Sequence, residues 1–444
     1  MMAEQIPPVN PYRPDADDSE LKLVPFAGRQ KAFERLYQRL TDPIRAEATI
    51  LLGQQGVGKT ALLRHFHTFF DETFVSVCVP LRQMPLTDED AWLKALAQRI
   101  TSALVMRNFT LARLPQEAPD GSAARAWFEE SYLLEVFNII RRHRRLALLL
   151  DDADLLLRAA DEGRLPADSF DYLYRLLTDY RQLGIVLTLD ARFESEVVRL
   201  SPLAMVTGVF RLTNLTPDES AWLLREPVRA FYSLSDEAVA AIYRATGGQP
   251  RLLQRFGDAL FRHWAAQPEQ TALGTEQAKT LLPQVYAASE HEFRQMWMEM
   301  NQTERLVLTA VAGRLFEDPL APINAAAIAA WLVETDYPLD MTAINAAIRS
   351  LEYREVFTGS PLQIGAGLLQ TWLLDNARLS PPANNASAAR PTSDAQRLNR
   401  RVAALAIVAL AALILALMIA LAGTNTPESG LAPPTVTLAV TNTP

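Results

Sequence analysis

The stretch that most constrains this chain is Gly53-Gln54-Gln55-Gly56-Val57-Gly58-Lys59-Thr60. The apolar run Ala48–Leu52 before it reads as a buried strand, and Ala61–Phe69 after it reads as a helix. A glycine-rich turn between a strand and a helix curls the backbone until successive N–H groups point inward, and the helix offers its positive end to the same place. The spacing is G-x-x-x-x-G-K-[ST] at every fixed position, which is a phosphate-binding loop. Gly53, Gln54, Gln55, Gly56, Val57, Gly58, Lys59, Thr60 and Ala61 are therefore the expected phosphate contacts. Lys59 is expected to reach the β- and γ-phosphates of a nucleotide, and the Thr60 hydroxyl to ligate Mg²⁺.

A loop of this kind needs a sheet behind it. "TFVSVCVPL", "LALLLDDAD", "GIVLTLDARF" and the shorter "VFRL" read as further strands, with helical segments between them. Strands alternating with helices predict an α/β fold with a parallel sheet covered on both faces. "LALLLDDAD" leaves its acids at the carboxyl end of a buried strand, where ligands of open α/β sheets sit. Asp151 is expected to hold Mg²⁺ through water, opposite Thr60. Asp152 stands where a water-activating acid belongs, and Asp154 is expected to cap the next helix. Lys59 and Asp152 are thus the expected catalytic residues of an ATPase. An Asp there is one methylene shorter than a Glu, which predicts slow turnover.

The net charge of −8 argues against a general nucleic-acid binder, which would bring a basic face to the phosphates. Cys78 is the single cysteine, and it lies inside an expected strand, so a reducing compartment is expected. The N-terminus has neither a basic nor an apolar leader region. The chain divides as follows: a disordered N-terminus at 1–20, a nucleotide-binding core at 21–215, a helical lid and connector at 216–300, a small helical domain at 301–377, a Pro/Ala/Ser/Asn linker at 378–401, an apolar run at 402–422 and a Thr/Pro-rich tail at 423–444.

"GQQGVGKT", "LLLDDAD" and "TGGQP" together resemble the AAA+/STAND division of P-loop ATPases, and more narrowly the bacterial and archaeal members that carry a winged helix behind the nucleotide domain. The resemblance covers about residues 24–377. It implies a sheet ordered 5-1-4-3-2 with a helical lid. It implies nucleotide contacts near the adenine at Phe26, Gly28 and Arg29 of "FAGRQKAFERL", although the glutamate of the family's G-R-x-x-E pattern is replaced here, with Ala32 and Phe33 preceding Glu34. It implies a γ-phosphate sensor at Arg192, with Thr188 and Asp190 as alternatives. It also implies a nucleotide-contacting Pro250 and a sensor charge at Arg251. "RRHRR" at 141–145 is either an arginine finger or contact patch, or a cationic end matched to its helix dipole.

"NQTERLVLTAVAG", "INAAAIAAWL" and the segment from Met341 to Asn376 resemble a winged helix. Between Gln302 and Asn376 four arginines face nine carboxylates, a balance of −5. A DNA reader places cations toward phosphates, so a protein partner or an intramolecular regulatory role is expected of this region. Val402–Ala422 is uncharged throughout and long enough as a helix, at about 31 Å, to cross a bilayer core once. Arg397, Arg400 and Arg401 precede it, and no Lys or Arg follows. The positive-inside rule then places the ATPase in the cytoplasm and the C-terminus outside a cell membrane. The alanines of the run allow close packing, so nucleotide-dependent homo-oligomers are also expected. The competing readings are a DNA-handling AAA+ ATPase, similar to origin-recognition or transposition ATPases, and a scaffold that binds ATP without hydrolysing it.

Overall fold

Five parallel strands form the centre of the first half: β1 Ala48–Gly53, β2 Phe74–Pro80, β3 Arg145–Asp151, β4 Leu183–Asp190 and β5 Gly208–Arg211. The computed structural model describes residues 8–15, 25–42, 48–115, 124–140, 144–200 and 208–377. The strand order is β2-β3-β4-β1-β5. This is the expected 5-1-4-3-2 arrangement seen from the other edge.

The strands are continuous apolar runs because both faces are covered. Ile50 and Leu52 pack into one core with Val77, Leu148, Leu150, Ile185 and Leu187. Leu51, between them, packs into another with Ala147, Leu149 and Val186. The two-residue strand period thus divides one run between two hydrophobic layers. In register, Gly53 lies beside Asp190 and Pro80 beside Asp151. The strand ends that carry the acids and the phosphate loop therefore form one edge of the sheet.

Helix Glu89–Met106 starts at an Asp88 cap, and a helical stretch with a π-helical middle, Trp127–Leu133, leads toward β3. Residues 141–143 of "RRHRR" lie outside the described residues, and Arg145 opens β3 and donates to the Leu40 carbonyl at 2.6 Å. After β5 the chain turns helical. Helix Pro217–Arg225 begins with the capping box that Thr216 and Glu219 encode, with Pro217 in the first turn. Helices Asp236–Thr246 and Pro250–Ala266 follow, then the 25-residue helix Thr275–Glu299. The last described region comprises helices Gln302–Glu317, Ala325–Glu334 and Met341–Tyr353, a two-stranded antiparallel hairpin of Phe357–Thr358 with Gln363–Ile364, and helix Gly367–Asn376.

The N-terminus departs from expectation. Residues 8–15 form a strap on the helices after β5, although 1–20 was expected to be disordered. Tyr12 is 2% exposed, and its hydroxyl donates to the carbonyls of Leu224 at 2.8 Å and Leu223 at 3.2 Å. Its ring lies so close to Gly257 that a β-carbon there would stand 2.5 Å from it. Asn10 donates to Asp258 at 2.8 Å. A disorder signature averages over composition. Here one buried aromatic between stiff prolines outweighs that average.

The linker, the apolar run Val402–Ala422 and the tail lie outside the described residues. Among the described residues no helix is long and apolar enough to cross a membrane. Tyr12→Ala should cost about 3 kcal/mol by loss of the buried ring, and Tyr12→Phe about 1 kcal/mol by loss of the hydroxyl bonds. Urea denaturation of the two variants checks both values.

Candidate nucleotide site

The phosphate loop takes the shape its glycines permit. Gly56 and Gly58 sit at φ 81° and 95°, in the left-handed region that side chains disfavour. Gly58 caps helix Lys59–Phe70, which starts at the sheet edge. The Lys59 ammonium is buried and donates to the carbonyls of Gly53 at 2.6 Å and Gln54 at 2.8 Å. Burial lowers its pKa, and the carboxylates of Asp190, Asp151, Asp152 and Asp154 raise it again. A cation gathered among loop carbonyls is placed to move onto phosphate oxygens that enter the same turn.

Asp151 is held from two sides. Thr60 Oγ1 donates to one of its oxygens and Thr188 Oγ1 to the other, both at 2.6 Å. Thr188 in turn accepts the Asp152 backbone N–H at 2.9 Å. Burial raises the Asp151 pKa and the two hydroxyl bonds oppose that rise. Thr60 and Asp151 suit Mg²⁺, which takes one or two protein oxygens and completes its shell with substrate phosphates and water.

Asp152 has φ 60°, an uncommon backbone for a non-glycine residue. Its carboxylate accepts from Nε of Arg82, a largely exposed side chain just past β2. Sequence reading missed Arg82. The signal was its place: β2 neighbours β3, so a residue just past β2 falls beside the acids that end β3. Asp154 is the first residue of helix Asp154–Asp161 and not its cap, which is Ala153. Its carboxylate pairs with Arg158 at 3.6 Å, and burial raises its pKa.

The lid turn rests on the loop. Gly247 ends one helix at φ 60°, Gln249 caps the next, and Pro250 begins it. Gln249 Nε2 donates to the Gln55 carbonyl at 3.1 Å, and the Arg251 backbone N–H to the Gly56 carbonyl at 3.3 Å. Between loop and lid lies a cavity of about 360 Å³. Gln54 to Ala61, Phe26, Arg29, Asp152, Pro250 and Arg251 all line it. Gly53 and Asp151 stand behind the loop, holding Lys59 and Thr60.

Three expected contacts are placed differently. Gly28 does not line the cavity; its φ is 66° and a β-carbon there would meet the Glu219 side chain at 2.1 Å, so it shapes the approach segment. Arg29 reaches the cavity wall, but its guanidinium donates to the carbonyls of Thr213 at 2.6 Å and Val57 at 2.8 Å, tying the loop to the lid connection. Burial lowers its pKa, and Glu219 and Glu355 raise it. Arg192 is not among the residues lining the cavity. Glu299, at the end of the long helix, pairs with it at 2.8 Å, and its guanidinium lies over the Phe193 ring. Of the two alternatives, Thr188 is engaged by Asp151 and the Asp152 amide, while Asp190 lies closer to the loop and pulls on Lys59. Phe26 stacks on His65 at 4.5 Å, and Arg251 pairs with Glu292 at 3.2 Å.

Residues 25–188 match the family model for the AAA ATPase domain. No curated protein matches the chain. Among solved structures, a Walker-type ATPase of Pyrococcus abyssi is similar over 78% of this chain and 96% of its own, at 17% identity and a TM-score of 0.52. The Aeropyrum pernix ORC2 protein, in ADPNP–ADP complexes, is similar over 79% of this chain and 93% of its own, at 15% identity and a TM-score of 0.53. At such identities the likeness is one of fold.

Thr188→Val removes a charge-assisted bond from a buried carboxylate. It should cost about 2 kcal/mol of stability and raise the Mg²⁺ concentration needed for nucleotide binding by about tenfold. Denaturation and a Mg²⁺ titration of nucleotide binding measure the two effects.

Proposed function

We propose that this protein, an ATPase through its residues 25–188, works as a slow ATP-dependent switch of AAA+/STAND type, anchored at a membrane and acting on a protein partner. The observation that carries the reading is the lid turn bonded directly to the phosphate loop, through Gln249 to Gln55 and Arg251 to Gly56, beside the clamped Thr60–Asp151 pair. ATP with Mg²⁺ enters a loop whose shoulder already touches the lid, so gain and loss of the γ-phosphate change what the lid can bond to. A ligand shifts such an element only by contacting its two states differently.

Hydrolysis forms a bond from a water oxygen to the γ-phosphorus and breaks the bond to the bridging oxygen. Lys59 and the loop amides hold the developing charge. Asp152 takes the proton of the attacking water. Its short side chain and its pairing with Arg82 favour a slow step.

The helical region 302–376 carries the output. Glu355 accepts the backbone N–H of Asn214 at 2.6 Å, where the core passes into the lid. A smaller cavity is lined both by loop residues Gln54 to Gly56 and by Arg354, Glu355 and Val356 of this region. Read as a winged helix with a balance of −5, it favours a protein partner over DNA. The uncharged run Val402–Ala422 with its preceding arginines supports a single-pass anchor, with the ATPase in the cytoplasm and the tail outside. Nucleotide-dependent self-association fits the same reading.

Lys59→Ala and Asp152→Asn should each lower single-turnover ATP hydrolysis by about 100-fold or more. Hydrogen exchange at residues 249–251 and 354–366 should differ between ADP and a non-hydrolysable ATP analogue, and identical exchange in the two states would rule out the switch. The full chain should stay with membranes after carbonate washing, whereas a chain ending at Arg401 should not. Equal partition of the two removes the anchor.

A further inference from the structure

We infer that Gln254 reads the base: its side-chain oxygen accepts a hydrogen bond from the 6-amino group of an adenine seated in the cavity that the approach segment Pro25–Ala27 and helix Pro250–Ala266 line. This rests on the nucleotide-site reading and assigns to it a specificity-determining residue.

Gln254 is 7% exposed and lines the same cavity as the phosphate loop. Lys59 and Thr60 mark the phosphate end of that cavity. Pro25, Phe26, Ala27, Leu215 and Leu223 supply apolar walls suited to a flat base. Gln254 lies one helical turn beyond Pro250, which puts both residues on the cavity-facing side of one helix. Its amide orientation is set, because Nε2 donates to the Pro25 carbonyl at 3.0 Å. The Oε1 atom is buried, and nothing among the described residues donates to it.

A buried, unpaired amide oxygen is destabilising by about 1–3 kcal/mol. Every other buried position of this helix, from Leu252 and Leu253 to Trp264, is apolar. A polar side chain whose donor bonds the approach segment and whose acceptor has no partner among the described residues is therefore suited to a ligand donor. With the Pro25 bond kept, a base lying against these walls would reach that oxygen with its edge. Adenine presents an amino group there. Guanine presents an oxygen, which the Gln254 oxygen repels. The adenine preference thus resides in one side chain of the lid.

The test uses the full-length protein in detergent and measures equilibrium binding of ADP, GDP and purine riboside 5′-diphosphate, which has no substituent at position 6. The wild type should bind ADP about tenfold or more tightly than either of the others. Gln254→Leu should bring the three affinities together. Equal binding of ADP and the deamino analogue by the wild type overturns the assignment without any variant, so a misfolded substitution cannot shield it. Retention of the wild-type ratio by a folded Gln254→Leu overturns it as well. Lys59→Ala separates the two readings: it should weaken all three nucleotides alike and leave their ratio intact. If the wild type binds no nucleotide, or binds no better than Lys59→Ala, the nucleotide-site reading and the base assignment both fall.

Discussion

The carboxylate of Asp151, gripped at 2.6 Å by the hydroxyls of Thr60 and Thr188, is the interaction on which the site depends. It joins the first turn of the loop helix, the end of β3 and the middle of β4. None of these is near another in sequence. A buried carboxylate without partners would be strongly disfavoured, so this cluster holds the strand ends in register. Thr188 also accepts the Asp152 amide, so one threonine orders both acids. The left-handed backbone of Asp152 is sustained inside this arrangement.

A second set of buried charges links the core to the helical regions. Arg29 donates to Val57 in the loop and to Thr213 just past β5. The neighbouring Asn214 donates its amide to Glu355, in the last described region. Burial raises the Glu355 pKa, and Arg29 and Arg211 oppose the rise. Arg211 also lies over the Tyr353 ring at 4.1 Å. The phosphate loop and the C-terminal helical region therefore share charges across a short connection. Movement at one end changes the surroundings of groups that are costly to strand unpaired.

The loop and the acids of β3 were legible in the sequence, because each follows from local pattern, while the strand order came from the family resemblance. Glycine spacing gives the loop, unbroken apolar runs give covered strands, and Thr216, Pro217 and Glu219 spell out a helix start. Arg192 was not legible in the same way. Its position after β4 pointed to a sensor, but Glu299, more than a hundred residues later, claims its guanidinium. Arg82, Gln249 and Gln254 gave no local signal either. An arginine after a strand and glutamines at a lid helix look like solvated polar residues until the strand order and the docking of the lid place Arg82 and Gln254 on the cavity and Gln249 against the loop. The strap at Tyr12 was hidden for a related reason: its prolines and acids dominate the composition, and the Gly257 surface that receives the ring is far along the chain.

By itself, then, the sequence determined the phosphate loop and the covered strands of the parallel sheet. These depend on interactions within one element, or on a turn whose shape its own residues dictate. The tertiary structure decided which arginines are committed to carbonyls and carboxylates and which face the cavity. It also decided that the lid meets the loop through Gln249 and Arg251, and that a buried Gln254 oxygen stands without a partner among the described residues. Such outcomes belong to contacts between segments far apart in sequence, where burial and available partners set the value of a polar group.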